Sequence, residues 1–435
     1  MALSSAIVWE IRSNGNLDNG GGFRTGATGT DHSQQDAAWS TRADIVIDGA
    51  DNTKITSAAD PFAADDVGNL LKITAGVGFT TGWFEVIAHA AGVATVDRAI
   101  GVVASTGGAG KLGGACTLVD AVLDTGVDGN TTYIANDGAY APAALSPTNN
   151  GSPTLPRRII GYDTVRDDEP AGTDRPLIAM GANGFLTGTH YRLTNLRFTT
   201  TNANGIDLSN ECLVFNCAVQ NTSGTAGRKC VDLGTSARAV NCELYGTNGA
   251  NDARGVTLTT DSRFMYCYLH DLSIGALAGS DNLIAFHNIF DDCTTGLAWY
   301  TSGSESEVMG NTFYGCVTAV NISGGEDEIL VMANILSTST TGVAGVAGAH
   351  ILDFNIWHNN GTDITGSAKG PSAINADPLF NNPAAGDFTL QSGSPALGAW
   401  FPAVATGLAA ELDFNIGVAQ NDPDTGGGGG GGGWW

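Results

Sequence analysis

The chain's best candidates for chemistry are four residues spaced as two pairs. His270 and Asp271 precede Asp291 and Asp292 by 21 residues. Aligned on Cys267, Asn288 and Asn311, the sequence puts His270 above Asp291 and Asp271 above Asp292. Carboxylates stacked on neighbouring strands would lie about 5 Å apart, close to the separation at which a retaining glycosidase divides acid and nucleophile roles. Such a pair raises one of its own pKa values. Asp271, Asp291 and Asp292 are therefore candidate acids for polysaccharide cleavage. The same positions also read as chain corners, where Asp is a common turn residue.

A second acidic column holds Asp261, Asn282, Glu305 and Glu328, with Glu326 and Asp327 nearby. Clustered oxygen ligands of this kind could hold Ca²⁺, with Asp261, Glu305 and Glu328 as the ligands. The other reading is a solvated acidic stripe. No other cofactor is implied. The repeat region offers few bases, among them Lys229, Arg228, Arg254 and Arg263, and Arg263 shares a column with Glu307, with which it could pair across coils. No Ser/His/Asp or Cys/His constellation is present. Gly107-Gly108-Ala109-Gly110-Lys111 departs from a phosphate loop, with Ser105 in place of the first Gly and Leu112 after the Lys. It reads as a linker.

The element that must position these residues is a repeat running from about Leu193 to Thr365, returning every 21 to 25 residues. Its apolar column reads Phe198, Val219, Leu244, Leu269, Phe290, Phe313, Leu336, Trp357. Beside it runs Leu196, Cys217, Cys242, Cys267, then Asn288, Asn311, Asn334, Asn355. A single repeat is too short to bury its own apolar side, so the repeats must stack, with each backbone paired to the coil above and below. Inward-facing Asn can then bond to the Asn one coil away, and Cys serves as a small apolar substitute. A second strand per coil follows from Ile206-Asp207-Leu208, Val231-Asp232-Leu233, Val256-Thr257-Leu258, Ala276-Leu277 and Leu297-Ala298-Trp299.

Composition agrees with an all-β reading: 61 Gly, 14% charged residues and no long amphipathic helical pattern among 435 residues. The net charge of −25 argues against nucleic acid and against anionic membranes. No apolar run is long enough to cross a bilayer. The eight Cys lack metal-ligand spacing, and five fall in two columns, Cys217, Cys242 and Cys267 in one and Cys293 and Cys316 in the other, which predicts buried free thiols and folding in a reducing compartment. Met1–Glu10 lacks a basic segment followed by a long apolar core, so no signal peptide is expected.

Along the chain, residues 1–40 read as an extended N-terminal arm. Residues 41–111 read as a small β module, an attachment domain, with strands at Ala43–Ile47, Leu70–Ile73, Gly82–Ile87 and Val93–Val96. Residues 112–370 form the stacked coils, 371–420 a closing segment, and 421–435 a poly-Gly tail ending in Trp434-Trp435. Two Trp on so flexible a tether suggest an anchor into a neighbouring subunit; a disordered tail is the other reading.

The opening coils, with Asp128–Tyr140, Pro156–Tyr162 and Asp174–Ile178, resemble those of pectate-lyase-like right-handed parallel β-helix proteins. Ala376–Phe380, Gly386–Leu390 and Ser394–Ala399 resemble the closing segment of such proteins. Phe62–Gly68 through Val96-Asp97-Arg98 resembles small modules of phage tail and virion-surface proteins. The resemblance implies a right-handed parallel β-helix of about ten coils. The same fold serves lyases, hydrolases, phage tailspikes and adhesins, so it leaves function open. The expectation is a non-enzymatic virion-surface protein: a tail fibre, tailspike-like adhesin or head decoration. It would assemble in the host cytoplasm with other virion proteins or its own copies, a trimer being one form, and contact host-surface polysaccharide. The alternatives are an extracellular polysaccharide hydrolase or lyase, and a bacterial surface adhesin.

Overall fold

The computed structural model describes residues 3–247, 253–299, 305–322, 328–345 and 350–399. The expectations placed on Trp434, Trp435 and the poly-Gly tail, and on Glu326 and Asp327, lie outside these residues. The fold is a parallel β-helix with a small barrel beside its N-terminal end.

The repeat pairs in the register that its columns predict. Ile178, Phe198, Val219, Leu244, Leu269, Phe290, Phe313, Leu336 and Trp357 are partners on successive parallel strands, and all are buried. Each such side chain contributes about 1.5–3 kcal/mol by leaving water. The Asn column also forms as expected, each Asn bonding to the next along the helix.

Each coil carries three strands where the sequence had suggested two. The missed set includes Leu213–Phe215, Arg263–Met265, Ile284–Phe286 and Glu307–Met309. It supplies the longest of three sheets, with twelve, ten and nine strands among the described residues. These segments are three residues long with one inward side chain each, such as Val214, Phe264, Ala285 and Val308, so little alternation was available to reveal them. The nine strands of the third sheet count nine complete coils.

Sharp corners separate the sheets, and residues with positive φ make them. One corner holds Asn195, Asn216, Asn241, Tyr266 and His287; the next holds Asp271 and Asp292; the third holds Glu211, Ser236, Asp261, Asn282, Glu305 and Glu328. Asn and Asp tolerate this left-handed conformation better than other non-glycine residues, which explains their recurrence.

Two further expectations are corrected, the linker and the Arg263–Glu307 pairing. Residues 3–40 are ordered by packing on the coils and the barrel. Ile7–Ile11 is a rung of the first sheet, parallel to Thr131–Ala135, and Trp9 is fully buried. Gly108–Leu112 is not a linker but a strand of the closed barrel, which also contains Ser40–Ile47, Lys54–Thr56, Leu70–Ala75, Gly82–Ala90 and Val93–Val96. Its glycines have a packing reason: a Cβ on Gly108 would meet the Phe79 ring at 2.5 Å. Arg263 and Glu307 do share a column, but Ile284 separates them, so they do not pair directly.

At the far end, Phe380–Asn382 and Asp387–Leu390 form an antiparallel hairpin. Phe380 and Phe388 pack on the outer face of the second sheet, with Tyr268, Tyr314, Ile335 and Ile356.

Candidate functional site

The second sheet's last outward position forms a continuous row. Tyr245, His270, Asp291, Tyr314, Ser337 and His358 are register partners on six successive coils. With parallel strands about 4.8 Å apart, the row spans about 24 Å. His270 stacks on Tyr245 and on Tyr268, with centroids 5.1 and 4.5 Å apart.

His270 is held between two carboxylates. Its Nδ1 lies 2.9 Å from Asp271 Oδ2 and its Nε2 lies 3.4 Å from Glu243 Oε1. Burial alone would depress the imidazole, but these partners raise its pKa above the ordinary value. One coil on, Tyr268 donates its hydroxyl to Asp291 Oδ2 at 2.8 Å. Burial pushes the Asp291 carboxyl up to about 6, and the neighbouring Asp292 and Asp271 charges add to the rise. Asp292 is exposed, and its pKa is raised by partial burial and by Asp271.

Asp271, Asp291 and Asp292 thus come together on two adjacent coils, with the Asp271 backbone N–H donating to the Asp291 carbonyl at 3.3 Å. Asp271 and Asp292 are corner residues, φ 55° and 47°, while Asp291 ends a strand. Glycines flank the pair. A Cβ on Gly315 would meet Asp292 Oδ1 at 2.2 Å, and one on Gly246 would meet the Asp271 carbonyl oxygen at 2.4 Å. The arrangement joins a carboxyl that keeps its proton near pH 6 to more exposed carboxylates, the pairing that general acid catalysis uses.

Further along the row the surface opens into a cleft of about 230 Å³, bounded by Tyr314, Ser337, His358, Asp377 and Phe380. Ser337 Oγ lies 3.2 Å from His358 Nδ1, and His358 Nε2 lies 3.9 Å from Asp377 Oδ2. Sequence reasoning missed this cleft and the partners Glu243 and Tyr268. Each of those two lies two residues from a row member on its own strand, so the repeat places them near the row without giving their contacts.

Asp261, Asn282, Glu305 and Glu328 form the predicted column at the third corner, all exposed. Asn282 donates its amide to Asp261, and it separates that residue from Glu305. Among the described residues no three His, Cys, Asp or Glu side chains gather so as to hold a metal ion. All eight Cys are free and buried. Burial pushes the thiols of Cys116 and Cys230 up to about 12, so they are poor nucleophiles. Among the described residues no helix is long and apolar enough to cross a membrane.

The class of protein is defined by the fold: a three-sheet parallel β-helix, the architecture that the resemblance to pectate-lyase-like proteins implied. No protein-family model matches the sequence, and no curated protein does. Among solved structures, pectate lyase Pel9A is similar at 9% identity and TM-score 0.47, over 70% of this chain and 90% of that one. ORF18 of Geobacillus virus E2 is similar at 12% identity and TM-score 0.27, over 55% of this chain and 54% of that one. The tailspike protein gp49 of Pseudomonas phage LKA1 is similar at 10% identity and TM-score 0.19, over 78% of this chain and 64% of that one. Similarity at this level says nothing of activity, which has to be argued from residues.

Proposed function

We propose that this chain is a virion-surface β-helix that holds a host-surface glycan along its second sheet. One observation carries the reading: Tyr245, His270, Asp291, Tyr314, Ser337 and His358 form one row on six successive coils, with Ser337 buried beneath the hairpin, and the row ends in a cleft. Aromatic faces stack on sugar rings, and alternating acid, hydroxyl and imidazole groups bond to sugar hydroxyls. A linear polymer suits a linear row. Support for the virion comes from the eight buried free thiols, which suit folding in a reducing cytoplasm, and from the module ahead of the coils, suited to attachment. In this reading the chain is a tail fibre, tailspike-like adhesin or head decoration, assembled with other virion proteins or its own copies.

The test is a binding panel of bacterial capsular and lipopolysaccharide glycans against the purified chain. Retention of at least one glycan, lost in His358→Ala and in Asp377→Asn while thermal unfolding is unchanged, is the expected result. Binding of no member, or binding indifferent to both changes, would remove the reading.

A second reading is favoured by one specific feature, the Asp291 carboxyl held up to about 6 beside Asp271 and Asp292. That is the equipment of a polysaccharide hydrolase, with Asp291 as acid and Asp292 or Asp271 as the ionised partner. Release of new reducing ends from a bound glycan, abolished by Asp291→Asn, would establish it. Binding without release would leave the adhesin.

A further inference from the structure

Four arginines stand in one outward column of the first sheet. Arg158 is the register partner of Arg192; Leu213 comes next, and then Arg238 and its partner Arg263. At about 4.8 Å per strand the successive gaps are about 5, 10 and 5 Å. Arg158, Arg238 and Arg263 are exposed, and Arg192 is half-buried.

Among the described residues none of the four forms an ion pair. This is unexpected in a chain with 44 acidic residues and 19 basic ones. The nearest corner acids are engaged elsewhere: Glu211 lies 2.7 Å from His190, and Asp261 accepts from Asn282. The arginines also repel one another. Burial, together with the charges of Arg158 and Arg238, holds the Arg192 guanidinium below its ordinary value. Folding gains nothing from such a row, which suggests that it awaits a partner.

The surroundings define that partner's shape. The outward column beside the arginines reads Ile160, Thr194, Phe215, Val240 and Met265, with no acid in it. At the adjoining corner, Asn216 donates to Asn195 at 2.7 Å and Asn241 donates to Asn216 at 3.3 Å, giving a ladder of amides. Cations in single file, an apolar strip and an amide ladder all run along the helix axis.

We propose that this face binds a linear anionic glycan, carboxylated or sulfated, laid along the axis with its acid groups on Arg158, Arg192, Arg238 and Arg263. Guanidinium forks match carboxylate and sulfate geometry, and the amides and apolar strip suit the sugar units between charges. A nucleic-acid duplex fits less well. It is wider than the row, and beyond a Debye length of about 8–10 Å its phosphates would meet an otherwise acidic surface. The face is separate from the second-sheet row, and neither reading depends on the other.

The experiment measures binding of the whole chain to hyaluronate, dextran sulfate, neutral dextran and a DNA duplex at low and at physiological salt. The proposal expects hyaluronate or dextran sulfate to bind, neutral dextran not to, and affinity to fall with salt. Which of the two binds separates carboxylate from sulfate recognition. Arg192→Gln/Arg238→Gln should weaken binding by roughly tenfold or more. The same double variant should unfold at the same temperature or higher, because like-charge repulsion is relieved, so lost binding is not lost folding. Failure of both polyanions to bind, unchanged affinity in the variant, or equal binding of DNA would overturn the proposal. So would self-association of the chain that the double variant abolishes, since the occupant would then be a second copy.

Discussion

The side-chain oxygen of Asn311 accepts two hydrogen bonds from Asn288, the main-chain N–H at 2.9 Å and the side-chain amide at 3.0 Å. Asn334 does the same for Asn311, and Asn355 for Asn334. Each amide also donates to a main-chain carbonyl, that of Asn311 to Ala285 at 2.9 Å. Asn is thus fully satisfied inside an apolar stack, and each link depends on its neighbour. Asn311→Ala strips Asn288 of its acceptor and leaves the Ala285 carbonyl unmet, a cost of about 2–4 kcal/mol. Asn311→Cys should cost less, because Cys217, Cys242 and Cys267 fill this column in earlier coils and their thiols donate weakly to carbonyls. Urea unfolding of the two variants should give that order. Equal midpoints would mean the ladder adds nothing beyond packing.

That ladder also marks how far the sequence could be read. The Asn and Cys columns and the apolar column had regular spacing and one residue type per position, so register followed directly. Asp291 beneath His270 followed from the same register. Tyr268 reaching across to Asp291, and the Glu243 contact to His270, depend on side-chain length and tilt, which spacing does not encode. The cleft needs the C-terminal hairpin laid over the second sheet, a contact between segments with no shared repeat. Ile7–Ile11 was missed as a rung because Thr131, its partner's first residue, lies over 100 positions away and outside the repeat.

Glycine and aromatic residues are matched inside the coil. A Cβ on Gly296 would meet the Phe313 ring at 2.7 Å and the Ala319 carbonyl at 2.5 Å; one on Gly275 would meet the Phe290 ring at 2.6 Å. Ala319 takes the same place one coil after Gly296, where the neighbouring core residue is Leu336. Gly296→Ala should therefore destabilise by about 1–3 kcal/mol through overpacking. Adding Phe313→Leu should recover part of that loss, although Phe313→Leu alone destabilises. A double-mutant cycle measures the coupling, and additive costs would show that the ring and the glycine are independent.

The N-terminal rung is held by a buried ionic cluster. Glu10 is fully buried; Arg166 approaches its Oε2 at 2.7 Å and Arg12 its Oε1 at 3.2 Å, and Tyr162 donates to it as well. Arg166 also reaches Asp31 at 2.9 Å, tying two N-terminal segments to the coils. Removing one member leaves Glu10 charged and underpaired in a dry place, which costs about 3–5 kcal/mol. In Arg166→Ala, amide exchange should accelerate in Ile7–Ile11 and Thr131–Ala135 well before the later coils. Uniform acceleration along the chain would instead mean that the helix unfolds as one unit.

The burial of Asp291 makes stability depend on pH in a defined direction, and the Tyr268 hydroxyl offsets only part of the effect. The Asp291 carboxyl sits at about 6 in the folded chain, against an ordinary 3.8. Between those values the folded state holds a proton that the unfolded state has released, so stability falls as pH rises through this window and stays lower above it. His270 acts in the same sense. Its pKa is raised, so its contribution is full below 6.5 and is lost as pH rises through the folded value. Asp291→Asn removes the first effect while leaving an oxygen for the Tyr268 hydroxyl. It should raise stability at pH 7 by about 1 kcal/mol, since solvent screens a half-buried carboxylate, and change little at pH 4. His270→Gln should do the reverse, costing stability at pH 5 and little at pH 8. Thermal melts from pH 4 to 8 separate the two. A constant offset between the wild type and Asp291→Asn across that range would mean that Asp291 carries its charge without penalty, and the proton needed for acid catalysis would then be missing as well.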